Sequence, residues 1–203
     1  MINLEYIAPI YDGLVKLIFG NSLSNATNYF LSRVPPQSKI LIVGGGTGKL
    51  LEVLNESASG SHVTFLDVAP AMINRAKNRN YAKLSVDFVN KSVFEFNDFG
   101  YDIVITPFFL DLFVSQELNL IGNKLTGALK KGGYWLFSDF VTSGSIYHFY
   151  LIKLLYLCYR IVYKVSAREL PEYDSFFKNN SMNLISRVII SKGLIESRVY
   201  RHL

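Results

Sequence analysis

The sequence of 203 residues contains one cysteine, Cys158, which excludes a fold held together by intramolecular disulfide bonds. It also has no run of basic residues longer than the pair Lys130-Lys131, although its net charge is +5. Nucleic-acid-binding surfaces usually cluster Lys and Arg with interleaved aromatic residues. We therefore expect no nucleic-acid partner.

Residues 1–19 lack the basic start and the uninterrupted apolar run of a secretory signal, since they carry Glu5 and Asp12. Together with the scarcity of cysteine, this predicts a cytoplasmic protein. Half of the residues are hydrophobic, which is enough for a sizeable core. At this length we expect a single α/β domain over residues 1–203.

The most informative segment is 39–51, with the sequence KILIVGGGTGKLL, which has the order of a buried strand, a glycine turn and a helix. Gly44, Gly46 and Gly48 allow the backbone to approach a ligand at positive φ, and the helix N-terminus offers free N–H groups. The next predicted strand ends at Asp67, which lies 19 residues after Gly48. A carboxylate at this spacing can accept hydrogen bonds from both ribose hydroxyls, so the pattern predicts a site for an adenosine-type ligand.

Two other nucleotide motifs fit this segment poorly. A dinucleotide fold favours a third Gly or Ala at the position of Lys49, where a long side chain hinders close packing of the helix on the strand. A P-loop would need Gly at Val43 and Ser or Thr at Leu50. The segment therefore favours a nucleoside without a pyrophosphate.

From this motif onward the chain resembles the class I S-adenosylmethionine-dependent methyltransferases. The matching segments follow in the family's order along the chain, at residues 39–51, 65–73, 87–93, 101–109 and 129–137. The resemblance implies an α/β, Rossmann-like fold with a seven-stranded, mostly parallel sheet, helices on both faces and an antiparallel C-terminal β-hairpin. It also implies S-adenosylmethionine as the cofactor and S-adenosylhomocysteine as its product, and no metal site is predicted.

The resemblance further implies which residues hold the cofactor. Asp67 would hold the ribose, Val68 and Met72 would flank the adenine, and Ser92 and Val93 would form the adenine loop. The cofactor set is completed by the three glycines of the turn and by Tyr11 in an N-terminal segment that closes over the cofactor: Gly44, Gly46, Gly48 and Tyr11.

The chain departs from the family pattern at two positions. Ile42 stands where the family usually has an acidic residue, and Ser92 stands where it usually has an Asp that accepts from the adenine amino group. A hydroxyl accepts this hydrogen bond less strongly than a carboxylate does. Both departures predict a cofactor that is held more weakly or in a different way.

The expected elements follow from the alternation of apolar runs with amphipathic segments. The sequence predicts strands near 39–44, 62–67, 84–90, 101–106 and 133–139, and helices near 13–33, 47–58, 70–80 and 115–130. Residues 1–36 would form an N-terminal helical cap. Residues 181–201 would form the terminal hairpin, because two β-rich runs flank the short turn Ser191-Lys192-Gly193.

Residues 144–166 form an unusually apolar helical insertion. Its three cations, Lys153, Arg160 and Lys164, fall on one narrow stripe of the helix. They disfavour a transmembrane span, because two central cations cost about 5 to 7 kcal/mol, more than the apolar residues recover. Three interpretations of 146–165 stay open: a lid over the acceptor pocket, a homodimer face, and a helix lying on a membrane surface. A lid, which we favour, would imply a hydrophobic or planar small-molecule acceptor.

Two titratable residues are candidates for a general base. Asp111 follows the fourth predicted strand, and His148 lies just after the fifth. Methyl transfer from a sulfonium requires a base only when the acceptor must lose a proton. The alternatives are a helix cap or loop acid for Asp111 and an aromatic-cluster or surface histidine for His148.

The function predicted from the sequence is methyl transfer from S-adenosylmethionine to a small acceptor. The main alternative is a catalytically silent, methyltransferase-like binding or scaffold protein, to which Ile42 and Ser92 point. A nicotinamide oxidoreductase is disfavoured by Lys49. An aminopropyl transferase is disfavoured because Thr47 stands where that family has a further acid.

Overall fold

Seven strands form one sheet in the computed structural model, which describes residues 19–163 and 167–203. The strands are β1 (Lys39–Val43), β2 (His62–Leu66), β3 (Ser85–Val89), β4 (Tyr101–Pro107), β5 (Leu129–Phe140), β6 (Met182–Ile190) and β7 (Ile195–His202). Their order across the sheet is β3-β2-β1-β4-β5-β7-β6.

The described α-helices are α1 (Ser22–Asn28), α2 (Lys49–Ser57), α3 (Pro70–Lys77), α4 (Ser115–Ala128), α5 (Ile146–Tyr163) and α6 (Tyr173–Asn179). Short 3₁₀ turns lie at Leu31–Arg33, Val93–Glu95, Leu110–Leu112 and Ser191–Gly193. Among the helices of the described residues, none is both long enough and apolar enough to cross a membrane.

Strand β1 is the central strand of the parallel part of the sheet. It pairs in parallel with β2 on one side and with β4 on the other, so that Ile40 lies beside both Val63 and Ile103. At the far side, β7 runs antiparallel to both β5 and β6. The predicted fold class, with its reversed C-terminal hairpin, is confirmed.

The alternation of side chains along β1 builds two hydrophobic layers. Ile40 and Ile42 pack with residues of α2 and α3 on one face of the sheet. Leu41 and Val43 pack with residues of α4 and α6 on the other face. Both faces of the central strand are therefore buried, as expected for a parallel sheet covered by helices.

Strand β5 begins earlier than the sequence predicts. It starts at Leu129, directly after α4 ends, because Leu129 already pairs with Tyr101 before a register shift in the ladder. Helix α6 was not predicted at all. It is stabilised by tertiary packing, since Phe177 lies edge-on to Trp135 at 5.2 Å and stacks on Tyr200 at 3.7 Å.

Candidate active site

A cavity of about 690 Å³ opens at the carboxyl ends of the central strands. Here β1 and β4 are neighbours although their connections lead in opposite directions, and open α/β sheets bind ligands at such a switch point. The lining comes from α1, the glycine turn, the segment after β2 and the segment after β4: Leu23, Ser24, Thr27, Asn28, Gly44, Gly45, Gly46, Thr47, Lys49, Leu50, Asp67, Val68, Ala69, Met72, Pro107, Phe108, Leu112, Phe113 and Glu117.

The glycine turn carries the backbone from β1 into this cavity. The Gly44 N–H donates to the Leu66 carbonyl at 2.9 Å, which ties the turn to the end of β2. Gly46 has φ +56°, and a Cβ built there would meet no atom within 4 Å. Its backbone therefore stands open to a ligand on the cavity wall.

Gly48 has a different role from Gly46. It begins α2 in the left-handed conformation, with φ +73°, and a Cβ there would lie 2.6 Å from the Cβ of Ala76 in α3. Among the described residues it does not line the cavity. The cofactor contact of Gly48 stays a prediction. The structure shows instead that a side chain at this position would clash with Ala76.

Asp67 lies at the tip of β2 with its carboxylate turned into the glycine turn. Oδ2 accepts from the Gly46 N–H at 3.3 Å, and Oδ1 accepts from the Ala69 N–H at 2.9 Å. Burial raises the pKa of Asp67, while these two hydrogen bonds oppose the increase. A carboxylate offers about four lone-pair directions, so among the described residues two directions remain able to accept further hydrogen bonds.

Val68 and Met72, the residues predicted to flank adenine, both line the cavity. Within the described part of the chain, Ser92 and Val93 do not. The Ser92 hydroxyl accepts from the Phe94 N–H at 3.3 Å and caps a 3₁₀ turn, and Val93 is buried in the core. Tyr11 lies outside the described residues.

Two groups of side chains at the cavity, and one supporting residue, were not named from the sequence. Helix α1 supplies hydroxyl and amide side chains to the lining, and Phe108, which also lines the cavity, has a positive φ of 51°. An aromatic residue in the left-handed region is uncommon and marks functional sites. Asn90 holds the Asp67 carbonyl through its side-chain amide at 2.9 Å. No periodic pattern in the sequence marks either feature.

Asp111, a predicted base, is buried beside a second acid, Asp139. The Asp111 N–H donates to Asp139 Oδ2 at 3.2 Å, and the Tyr156 hydroxyl lies 3.0 Å from the Asp111 carbonyl oxygen. Burial raises the pKa of Asp111 to about 7 and that of Asp139 well above its usual range. Among the described residues Asp111 does not line the cavity, and its catalytic role stays a prediction.

His148, the other predicted base, lies on a second cavity of about 790 Å³ between the start of α5 and residues 168–172. Its Nδ1 is hydrogen-bonded to the Ser143 hydroxyl. In the described ranges the two cavities share no lining residue. The structure therefore does not bring His148 to Asp67, and α5, over its described residues, lines the second cavity and not the first. The role of α5 as a lid and the role of His148 as a base both stay predictions.

No three His, Cys, Asp or Glu side chains come together as a metal site within residues 19–163 and 167–203. The lining of the first cavity combines the buried carboxylate of Asp67, the accessible backbone of Gly46, the ammonium group of Lys49 and apolar side chains such as Phe108. This donor set suits a nucleoside with an apolar compound beside it.

Comparisons with known proteins give sequence relatives and structural neighbours. A family model for a methyltransferase domain matches residues 41–135. A demethylmenaquinone methyltransferase from Thermus thermophilus is 31% identical over 161 residues, covering 73% of this chain and 71% of the relative. A carboxy-S-adenosyl-L-methionine synthase from Campylobacter concisus is 24% identical over 139 residues, covering 66% of this chain.

The chain spans 59% of the length of that synthase. Among solved structures, a TehB-like S-adenosylmethionine-dependent methyltransferase from Corynebacterium glutamicum has a TM-score of 0.65 at 13% identity, with 98% of each chain covered. This structural likeness supports the fold over nearly the whole chain.

Proposed function

Because the chain belongs to the class I S-adenosylmethionine-dependent methyltransferase family, we propose that it transfers a methyl group to a small apolar or planar acceptor. The cofactor of the family is S-adenosylmethionine. The acceptor is inferred from the cavity, since the relatives above are named for two different reactions.

The observation that carries the proposal is the environment of Asp67. Its carboxylate is buried at the switch point and is fixed by two backbone N–H groups, one of them from Gly46. Gly46 and Asp67 line the same cavity, and a Cβ at Gly46 would meet no atom within 4 Å. The Asp67 carboxylate has the capacity to accept two further hydrogen bonds, which a pair of vicinal ribose hydroxyls would donate.

The far side of the cavity supports an apolar acceptor. Its lining includes four apolar side chains, Leu23, Phe108, Leu112 and Phe113. The total volume of about 690 Å³ lies in the range of roughly 300–1,000 Å³ that is usual for small-molecule sites. It is large enough to hold a nucleoside together with part of a second small molecule.

Methyl transfer depends mainly on how the protein positions the methyl donor and the acceptor. A bound S-adenosylmethionine supplies a methyl group on a sulfonium, whose sulfur keeps the bonding electrons when the acceptor atom takes the methyl. The residues of the chain hold the reactants in line and exclude water, which can supply much of the rate acceleration. If the acceptor must also lose a proton, Glu117 is an acid on the cavity wall, with Oε2 accepting from the Val114 N–H at 3.1 Å.

Methyl-transfer assays test this proposal. The chain is incubated with S-adenosylmethionine labelled on the methyl group and with a panel of phenols, quinols and apolar amines, and S-adenosylhomocysteine and the labelled product are quantified. We expect product formation that depends on the acceptor and is reduced by Asp67→Asn. Binding of S-adenosylhomocysteine without transfer to any acceptor would favour the silent binding protein.

A further inference from the structure

The side of α5 that faces away from the protein is apolar and aromatic over most of its length. Six exposed side chains make up this surface: Ile146, Tyr147, Phe149, Tyr150, Leu154 and Leu157. Tyr147 and Ile146 are 69% and 76% exposed. At about 100° per residue the six fall within roughly half of the helix circumference, and we call this surface the outer face of α5.

The opposite side of the same helix packs against the protein. Leu151 and Leu155 are buried with Phe140 and Ile195, and Tyr156 is buried beside Asp111. The helix is therefore anchored by its inner side. The outer face is exposed because it points away from the protein, although the helix itself is packed.

The charges on the outer face have one sign. Lys153 and Arg160 are both exposed, and they lie on the same arc as the apolar side chains. The sequence of α5 contains no Asp or Glu. Lys153 lies 4.4 Å from the centre of the Phe149 ring, so its cation is held against the apolar surface. Among the described residues neither cation has a carboxylate partner.

We propose that the outer face of α5 binds the surface of an anionic lipid bilayer. Exposed Leu and Ile would enter the acyl boundary, and tyrosine rings favour the zone between acyl chains and headgroups. Lys153 and Arg160 would face anionic headgroups, which attract basic residues close to the surface. In this orientation the helix lies in the interface and does not cross the membrane.

The charge pattern separates this partner from a second copy of the chain. A two-fold symmetric contact between two outer faces would bring Lys153 and Arg160 against the outer face of the copy, which carries the same two cations. Without a carboxylate on α5, these four cations would repel one another. An anionic surface neutralises both cations and covers the same apolar side chains.

The second cavity lies next to this face. Phe149 and Lys153 contribute to both the cavity wall and the exposed surface, and His148 and Ile152 extend the wall inward. A chain bound to a bilayer in this orientation would hold the second cavity close to the headgroup region. Binding itself requires no cofactor, so it can be measured whether or not the chain transfers a methyl group.

Vesicle co-sedimentation tests the proposal with the full chain. Vesicles of phosphatidylcholine alone are compared with vesicles that also contain phosphatidylglycerol, and the bound fraction is measured against lipid concentration. We expect binding to the anionic vesicles and a loss of at least about tenfold in affinity for Leu154→Glu. Each of Lys153→Gln and Arg160→Gln should weaken binding about fivefold.

The matched control is Leu120→Glu, because Leu120 is also an exposed leucine on a helix. It lies on α4 and is 61% exposed. It should leave vesicle binding unchanged. Equal effects of Leu154→Glu and Leu120→Glu, or no binding to anionic vesicles by the folded chain, would overturn the proposal. So would a dimer, seen by light scattering, that Leu154→Glu disrupts and Leu120→Glu does not. Circular dichroism checks that each variant is folded.

Discussion

The backbone N–H of Asp111 donates to Oδ2 of Asp139 across 3.2 Å, and both side chains are buried. This hydrogen bond joins the turn after β4 to the end of β5. Burial raises the pKa of both acids, and the charge of Asp111 raises that of Asp139 further. Within the described residues, Oδ1 of Asp111 has no hydrogen-bond partner. The folded state therefore favours protonated carboxyls here.

This relationship predicts the pH dependence of stability. The pKa of Asp111 rises from 3.8 to about 7 on folding, so between these values the folded chain binds more protons than the unfolded chain. The contribution of the pair to the free energy of unfolding is fully present below about pH 4 and is lost as the pH rises towards 7. Urea unfolding of wild type and Asp111→Asn across this range should show a shallower decline in the variant.

The control for this measurement is Asp87→Asn, because Asp87 is exposed on β3 and pairs with His62 at 3.1 Å. It removes one carboxylate far from the buried pair. If Asp111→Asn and wild type lose stability in parallel over the whole pH range, the buried pair does not control this slope.

The glycine turn predicts a contrast between two alanine substitutions. Gly48→Ala places a Cβ 2.6 Å from Ala76 at φ +73°, so strain and overpacking should together lower the free energy of unfolding by about 2–4 kcal/mol. Gly46→Ala meets open space and should cost only about 1–2 kcal/mol of conformational strain. Its methyl group would stand on the cavity wall and weaken cofactor binding.

Thermal unfolding and titration with S-adenosylhomocysteine measure the two effects separately. We expect Gly48→Ala to affect mainly stability and Gly46→Ala to affect mainly affinity. The reverse order, with a stable Gly48→Ala that no longer binds, would mean that Gly48 contacts the cofactor after all.

Arg198 predicts a stability effect in the C-terminal hairpin. Its guanidinium is almost fully buried on β7, and Nε donates to Glu196 Oε2 at 2.6 Å while a second nitrogen donates to the Tyr200 hydroxyl at 2.8 Å. Arg198→Met should cost about 3–5 kcal/mol, because it leaves the carboxylate of Glu196 buried without this partner.

The double variant Arg198→Met with Glu196→Gln separates the ion pair from lost packing. It removes both charges and should recover a large part of the lost stability in urea unfolding. Additive losses in the two single variants and the double variant would show that the two side chains do not interact.

The sequence predicted local features better than tertiary ones. The turn from β1 to α2 and the position of Asp67 follow from glycine spacing and apolar runs, which are properties of a short segment. Asp111 was expected near the acceptor, but its side chain turns inward because the chain after β4 packs on Asp139. That contact joins residues 28 positions apart, and no local pattern encodes it.

The same reasoning applies to one element and one side chain elsewhere in the chain. Helix α6 is seven residues long, which is too short for a helical period to be recognised in the sequence. It depends on the packing of Phe176 and Phe177 around Trp135. Ser92 aligned with an adenine contact by position in the chain, yet its hydroxyl is engaged by the Phe94 N–H. The adenine contact of Ser92 stays a prediction, because order along the sequence does not encode the local hydrogen bonds that a side chain makes.

The central claim is that Asp67 holds the ribose of an adenosyl cofactor in the cavity at the ends of β1 and β4. Calorimetric titration with S-adenosylhomocysteine of wild type, Asp67→Asn and the exposed control Asp87→Asn tests it most directly. A charge-assisted hydrogen bond contributes about 1.5–3 kcal/mol, so Asp67→Asn should weaken binding at least about tenfold while Asp87→Asn binds like wild type. Equal affinities for all three folded proteins would contradict the claim.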